Sequence, residues 1–349
     1  MPLPPATSDF AARLIAWQAQ HGRHDLPWQR TRDPYRIWLS EIMLQQTQVG
    51  TVIPYYARFL ERFPDIAALA AAPQAAVLEL WAGLGYYARA RNLHRCAQKI
   101  VAEHGGIFPR EAEKIAELPG IGRSTAAAVA AFAFGARGAI LDGNVKRVLA
   151  RCFAVEGFPG QVAVEHRLWA LAESLLPAAR IEAYTQGLMD LGATLCTRGR
   201  PRCGDCPLRG LCVAEREERQ ASLPTPRPAK AVPQRESTVT LFTDGRRVLL
   251  ERRPPQGIWG GLLAPPEGKP EDLAARLGLR PCGAAEELPA LRHAFTHFRL
   301  TLRPWRCRVE PAAPTAADAD GHEWVDLAAH ATAALPTPVK KLLARLAAA

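Results

Sequence analysis

Apolar residues recur at three- and four-residue spacing through nearly all of residues 8–214, in long Ala- and Leu-rich stretches punctuated by Pro and Gly. That period predicts helices and leaves no convincing strand in this part of the chain. Asp33 followed by Pro34 marks a helix start: a capping carboxylate, then the residue whose missing N–H costs nothing in a first turn. Further helices are expected at 54–63, 73–81, 88–104, 110–118, 124–134, 145–152, 162–176 and 181–195. Past Pro233 the period changes to alternation, which predicts strands at 237–242, 248–253, 298–309 and 323–326, with helices at 270–277 and from 339 onward. Between the two regimes, residues 213–235 turn Glu/Arg-rich and then Pro-rich, the composition of an extended, semi-stiff linker. The expected architecture is an all-α N-terminal region over 8–212 and a smaller α+β C-terminal domain over 236–349.

Composition bounds the function without choosing it. Hydrophobic residues make up 48% of the 349 and charged residues 22%, which excludes a disordered chain. Forty-four Lys and Arg against 34 Asp and Glu leave a formal charge of +10, equally compatible with simple solubility and with a polyanionic partner. The first ten residues hold three prolines and no basic-then-apolar pattern, and the longest apolar run, 125–136, is too short to span a bilayer. A cytoplasmic protein with no membrane partner is therefore expected.

Of eight cysteines, Cys96, Cys152, Cys282 and Cys307 are scattered and read as core thiols, while Cys196, Cys203, Cys206 and Cys212 crowd into 17 residues. Four thiolates in a loop too short for a core will gather around one centre, a [4Fe–4S] cluster or a tetrahedral zinc. The single Cys-x2-Cys pair, where zinc ribbons carry two, favours iron–sulfur. Arg198, Arg200, Arg202 and Arg209 surround these cysteines with only Asp205 opposing them, so the folded loop would present arginines to phosphates.

Leu118-Pro-Gly-Ile-Gly-Arg123 lies between two helical stretches. Gly120 and Gly122 permit a tight hairpin, after which the amides opening the next helix, beside Arg123, face outward to a phosphate; an ordinary inter-helix turn fits the spacing equally. Glu41 sits mid-helix in Trp38-Leu-Ser-Glu-Ile-Met-Leu-Gln-Gln-Thr47. Apolar surroundings disfavour its ionised form and suit a general acid, although an exposed face or a structural ion pair would also account for it. Asp142, in Ile140-Leu-Asp-Gly-Asn-Val-Lys-Arg147, stands where a helix begins and is at least a cap.

These segments, together with Trp81-Ala-Gly-Leu-Gly-Tyr-Tyr-Ala-Arg-Ala-Arg91 and the four-cysteine loop, occur in the order seen in the helix-hairpin-helix DNA glycosylases, and in detail the chain resembles their adenine-specific branch. The resemblance implies a helix-hairpin-helix glycosylase domain with one [4Fe–4S] cluster at 196–212, acting as a monomer on double-stranded DNA that holds adenine opposite 8-oxoguanine or guanine. By the same resemblance Glu41 protonates adenine at N7 and helps activate water, and Asp142 stabilises the oxocarbenium ion or bonds to it transiently. Asn144 and Ser124 lend polar support. Gln46 and Tyr86 match positions that fill or wedge the stack vacated by the flipped base, with Thr47 also at the DNA, and Leu26, Trp28, Gln186 and Met189 match the lining of the base pocket.

Bifunctional relatives carry a Lys two residues after the second hairpin glycine, where this chain has Ser124. Without that amine the nucleophile is expected to be water and the product an abasic site in an intact strand; Lys146, one turn after Asp142, would supply adventitious lyase activity at most. The C-terminal domain resembles the Nudix-like domain of these enzymes. Gly257-Ile-Trp-Gly-Gly-Leu262 fits, but no acidic metal-binding box follows, which argues against diphosphate hydrolysis. Ala294-Phe-Thr-His-Phe298 resembles the family's 8-oxoguanine reader, with Phe295 stacking and Thr296 and His297 offering hydrogen bonds. Two other functions are compatible with parts of the chain, a glycosylase-lyase for another base and a DNA-binding lesion sensor. Ser124 and the reader segment oppose the first; Glu41 with Asp142 opposes the second.

Overall fold

The computed structural model describes residues 7–228, 231–254, 257–295, 297–310, 321–330, 333 and 335–348. Among them the helices, in chain order, are α1 (Thr7–His21), α2 (Pro34–Leu44), α3 (Val49–Arg62), α4 (Ile66–Ala71), α5 (Gln74–Trp81), α6 (Ala88–His104), α7 (Ala112–Ala116), α8 (Arg123–Phe134), α9 (Gly143–Cys152), α10 (Val162–Ser174), α11 (Ile181–Asp190), α12 (Val213–Arg216), α13 (Pro270–Arg276) and α14 (Thr337–Ala347). The strands are β1 (Gln234–Thr243), β2 (Arg247–Arg252), β3 (Leu263–Ala264), β4 (Glu286–Glu287), β5 (Leu291–Ala294), β6 (Arg299–Arg308) and β7 (His322–Asp326). No helix among the described residues is long and apolar enough to cross a membrane.

Caps account for several boundaries. The Asp33 carboxylate accepts the Tyr35 N–H at 2.9 Å, opening α2 at Pro34. Helix α8 stops at Gly135, whose left-handed φ of 68° lets its N–H reach the Ala131 carbonyl while Ala136 reaches back to Ala130. Its buried alanines, Ala126, Ala127, Ala128, Ala130 and Ala131, let α2 and α7 approach closely. Helix α3 begins at Val49, five residues before the expected start at Pro54, because a proline near a helix start removes only one backbone bond, here to Gly50. The expected helix over 181–195 changes at Asp190 into a wider π turn over Leu191–Leu195. There a Cβ on Gly192 would come within 2.5 Å of the Asn144 Cβ, so the π turn and α9 meet through a glycine.

Contacts divide the chain into two units that do not follow chain order. The first comprises 1–71 and 92–229, the second 72–91 and 230–349. The chain-order division at residue 212 therefore needs two amendments. Residues 72–91 pack with the C-terminal portion: the Arg91 guanidinium donates to the Gly260 carbonyl at 2.7 Å, and Leu78 lies against Gly261. The start of the Pro-rich stretch is folded onto the first unit, with Ala214 and Leu223 buried and α12 formed from 213.

The first unit buries one large core from α1, α8, α9, α10 and α11. In the second, the sheet order is β3-β2-β1-β6-β4, with β5 pairing to β6, β7 to β2, and β1 and β6 parallel. Alternation sends Val239 and Leu241 of β1 into a core with Val339, Leu342, Leu343 and Leu346 of α14, whereas Phe242 joins Leu273 and Ala274 of α13 in another. The second unit is thus an α+β fold with helices on both faces of a mixed sheet. Cys96, Cys152 and Cys307 are buried as expected; Cys282 is exposed and is no core thiol.

Candidate active site

Two acids meet inside the first unit. Helix α2 brings Glu41 to the wall of a cavity of about 340 Å³, in the range of small-molecule sites, lined also by Trp28, Ser40, Arg23, His24 and Gln186. Burial pushes the Glu41 carboxyl up to about 7, and the neighbouring negative charge of Asp142 adds to the effect. Asp142 caps α9, accepting the Val145 N–H at 2.8 Å. Its carboxyl is raised by burial, opposed by the Val145 and Asn144 amides and by the cations Arg147 and Lys146. The cap of α9 and the carboxylate whose charge acts on Glu41 are therefore one residue.

The residues around this pair divide by what holds them. The Ser124 hydroxyl oxygen accepts the Leu141 N–H at 2.9 Å, so α8 props the segment that delivers Asp142. Asn144 turns its side-chain carbonyl to the Arg147 guanidinium at 2.8 Å and supports the first turn of α9. Lys146 is held by Glu165 at 2.7 Å. Trp28 lies edge-on to Tyr56 with centroids 5.4 Å apart, and Gln186 donates to the Asp190 carboxylate at 2.9 Å. Leu26 is buried beside the cavity but is not on its wall, and Met189 packs against the helical core, so of the four expected pocket residues Trp28 and Gln186 line it.

Asp190 was not apparent from the sequence. It is 1% exposed, and it accepts both the Arg23 backbone N–H at 2.9 Å and the Arg23 guanidinium at 2.7 Å, as well as Gln186. This carboxylate fastens the 22–30 segment, which carries Trp28, to the helix that carries Gln186. The one signal in the sequence is an acid four residues after Gln186, on the apolar face of a helix.

The hairpin takes the expected form. Gly120 has φ +76° and faces Asn92 so closely that a Cβ would come within 2.5 Å of the Asn92 Cβ. Gly122 is the extended cap of α8 with open space where a Cβ would stand, so the first-turn amides are approachable. Arg123 is less free than its sequence suggests: it pairs with Glu173 and stacks at 4.0 Å over the Trp169 ring. Gln46 and Tyr86 are both exposed, and both hold a left-handed backbone, φ 57° and 49°. Such geometry is disfavoured for residues with a Cβ and clusters at functional sites. Thr47, next to Gln46, is half-buried.

Cys196, Cys203, Cys206 and Cys212 all line one largely apolar cavity. Among the described residues no three His, Cys, Asp or Glu side chains converge closely enough for a single ion. Four cysteines on the wall of one apolar cavity fit the ligand set of a polynuclear iron–sulfur cluster. Arg151, 3% exposed, backs the loop: it donates to the carbonyls of Leu223 at 2.8 Å, Thr197 at 2.7 Å and Arg198 at 3.2 Å, and points a further N–H at the Cys196 sulfur at 3.4 Å. Arg198, Arg200 and Arg202 are exposed on the same loop, Arg202 within 3.8 Å of Asp205.

In the second unit, just after β5, the Phe295 N–H donates to the Phe298 carbonyl at 2.9 Å. Phe295 stacks on Phe298 at 4.4 Å, edged by His293 at 4.6 Å, while Arg235 covers Phe298 at 4.8 Å. His297 is exposed and Phe295 half-buried; Thr296 lies outside the described residues.

Comparisons with known proteins agree with this geometry. Residues 39–174 match the HhH-GPD superfamily of base excision DNA repair proteins, 196–212 match the iron–sulfur binding domain of endonuclease III, and 238–345 match a NUDIX domain. The adenine DNA glycosylase of Buchnera aphidicola from Acyrthosiphon pisum is 35% identical over 96% of either chain. That of Homo sapiens is 35% identical over 95% of this chain and 73% of its own. Among solved structures, a non-covalent endonuclease III–DNA complex superposes with TM-score 0.53 at 20% identity, covering 62% of this chain and 99% of that one, a likeness of fold.

Proposed function

The chain belongs to the adenine DNA glycosylases of base excision repair, holding one [4Fe–4S] cluster on its four-cysteine loop, and on that premise we propose that it is monofunctional and acts on adenine opposite 8-oxoguanine and opposite guanine. The observation that carries the first part is a buried acid held near 7 beside a second carboxylate, with the neighbouring Ser124 and Lys146 side chains already engaged elsewhere. Ser124 stands where lyases carry the nucleophilic Lys, its hydroxyl committed to Leu141, and Lys146 is tied to Glu165.

Adenine leaves poorly as an anion and departs from a sugar that becomes positive. Glu41, half protonated near pH 7, gives its proton to N7 of the flipped base, and Asp142 faces the cationic sugar. Water then attacks the anomeric carbon, with Glu41, now ionised, taking its proton. The bond broken is the N-glycosidic bond; the sugar–phosphate strand stays whole. Flipping costs a few kcal/mol; the half-exposed Tyr86 ring, on a left-handed turn, is the wedge that stacks on the bases, and Gln46, on a left-handed residue of its own, fills the vacated stack. Opposite the adenine, Phe295, Thr296 and His297 read 8-oxoguanine, and Phe295 leaves its stack on Phe298 to do so.

Duplexes holding adenine opposite 8-oxoguanine or guanine, or oxidised pyrimidines, test the reading by strand breakage with and without hot alkali. Adenine release that becomes a break only after alkali is expected. Immediate β-elimination would point to a glycosylase-lyase, and tight binding without release to a lesion sensor.

A further inference from the structure

Tyr86 occupies a turn that its own residues do not favour. Gly83 at φ +105° and Gly85 at φ +71° tolerate left-handed backbone, but Tyr86 at φ +49° follows directly with a full side chain. A conformation of that kind persists only where its surroundings over-determine it. Several contacts around this turn meet on one side chain, Arg89.

The Arg89 guanidinium donates through Nη2 to the Leu84 carbonyl at 3.1 Å and to the Gly85 carbonyl at 3.3 Å. Its carbon lies 5.2 Å from the Trp81 ring centroid and 5.6 Å from that of Tyr86. The Trp81 indole donates to the same Gly85 carbonyl at 3.1 Å, and the Arg89 N–H closes the turn on the Tyr86 carbonyl at 2.8 Å. Burial lowers the guanidinium to about 10, so it remains a cation at neutral pH. One planar cation thus joins two carbonyls of the turn to the faces of two aromatic rings, a fit that Lys, with a compact ammonium, would not reproduce.

We propose that Arg89 is a positioning residue for base flipping: it holds the 82–87 turn and the Tyr86 ring in the inserting conformation before DNA arrives. The proposal rests on the reading of Tyr86 as the wedge. Since Nη2 is engaged with the turn, Arg89 acts through Tyr86 and not as a phosphate contact.

The test uses the full-length, cluster-loaded protein and a duplex with adenine, or the fluorescent adenine analogue 2-aminopurine, opposite 8-oxoguanine. Arg89→Met is expected to lower the fluorescence rise on binding and to slow single-turnover excision about tenfold. Arg89→Lys is expected to recover only part of the loss. The dependence of duplex affinity on salt should not change, because no phosphate contact is lost; a slope smaller by about 0.9 would make Arg89 a phosphate ligand and overturn the proposal. Tyr86→Ala separates this proposal from the reading beneath it. If Tyr86→Ala flips and cuts normally, the wedge assignment fails first. If Tyr86→Ala is impaired and Arg89→Met is not, the positioning role alone fails. The double variant Tyr86→Ala/Arg89→Met should be no worse than Tyr86→Ala, and additive losses would show Arg89 acting independently. Should Arg89→Met lose its cluster absorbance or melt early, the same cycle is read with Arg89→Lys.

Discussion

Replacing Glu41 with Gln should remove excision and, in the same stroke, make the folded protein more stable at neutral and alkaline pH. The carboxyl is held near 7 in the folded chain against an ordinary 4.5, by burial first and the Asp142 charge second. The folded state therefore binds this proton more tightly than the unfolded state does. Its contribution to stability is complete below about pH 4.5 and is lost as pH rises through about 7. The distance between those two values corresponds to about 3 kcal/mol forfeited by about pH 8. Gln keeps the shape and never ionises, so Glu41→Gln should match the wild type near pH 4 and exceed it by up to about 3 kcal/mol near pH 8. Urea unfolding followed by cluster absorbance across this window measures the difference, and single-turnover excision on the same samples should fall by about a hundred- to ten-thousand-fold. An identical pH dependence for the two proteins would refute the burial argument. Near-normal turnover would remove Glu41 from the acid role.

Wild-type single-turnover excision should itself decline about tenfold per pH unit above neutrality as Glu41 ionises, and a rate flat to about pH 9 would contradict the assignment. Ser124→Ala leaves the Leu141 N–H without its acceptor; a loss of about 1–2 kcal/mol is expected, with slower excision, no gain of strand cleavage and cluster content unchanged. Arg151→Met strands three carbonyls and should cost about 3–5 kcal/mol together with iron content measured per chain; full iron retention would deny the backing role. His297→Ala and Phe295→Ala should reduce the preference for 8-oxoguanine over guanine about tenfold with excision opposite guanine preserved, and an unchanged ratio would move the reader elsewhere.

Features carried by local chemistry were legible in the sequence. The Asp33–Pro34 cap, the glycine hairpin, the four-cysteine loop and the change from helical to alternating period each depend on neighbours within a few residues, and each appears where expected. Glu41 was legible as a charge out of place, and Asp142 as a cap. What escaped is long-range. The Asp190–Arg23 anchor joins residues 167 apart, and Arg151 reaches 72 residues to Leu223, pairings that no period announces. The early start of α3 escaped because Pro54 masks the turn before it, and the folded start of the Pro-rich stretch because composition alone says nothing about burial. The hydrogen bond from Arg147 to the Asn144 side-chain carbonyl, within the first turn of α9, likewise depends on side-chain placement that no sequence period announces.

Because residues 72–91 group with 230–349, the backbone passes between the two units three times: after residue 71, after residue 91 and near residue 229. A single nick in the Pro-rich stretch would therefore not liberate the second unit as a free fragment. Residues 230–349 would remain docked on a segment still covalent with the first unit, by contacts such as Arg91 on Gly260 and Leu78 on Gly261. The chain is built like a clasp sewn on both sides, so its two halves should co-purify after limited proteolysis and separate only on denaturation.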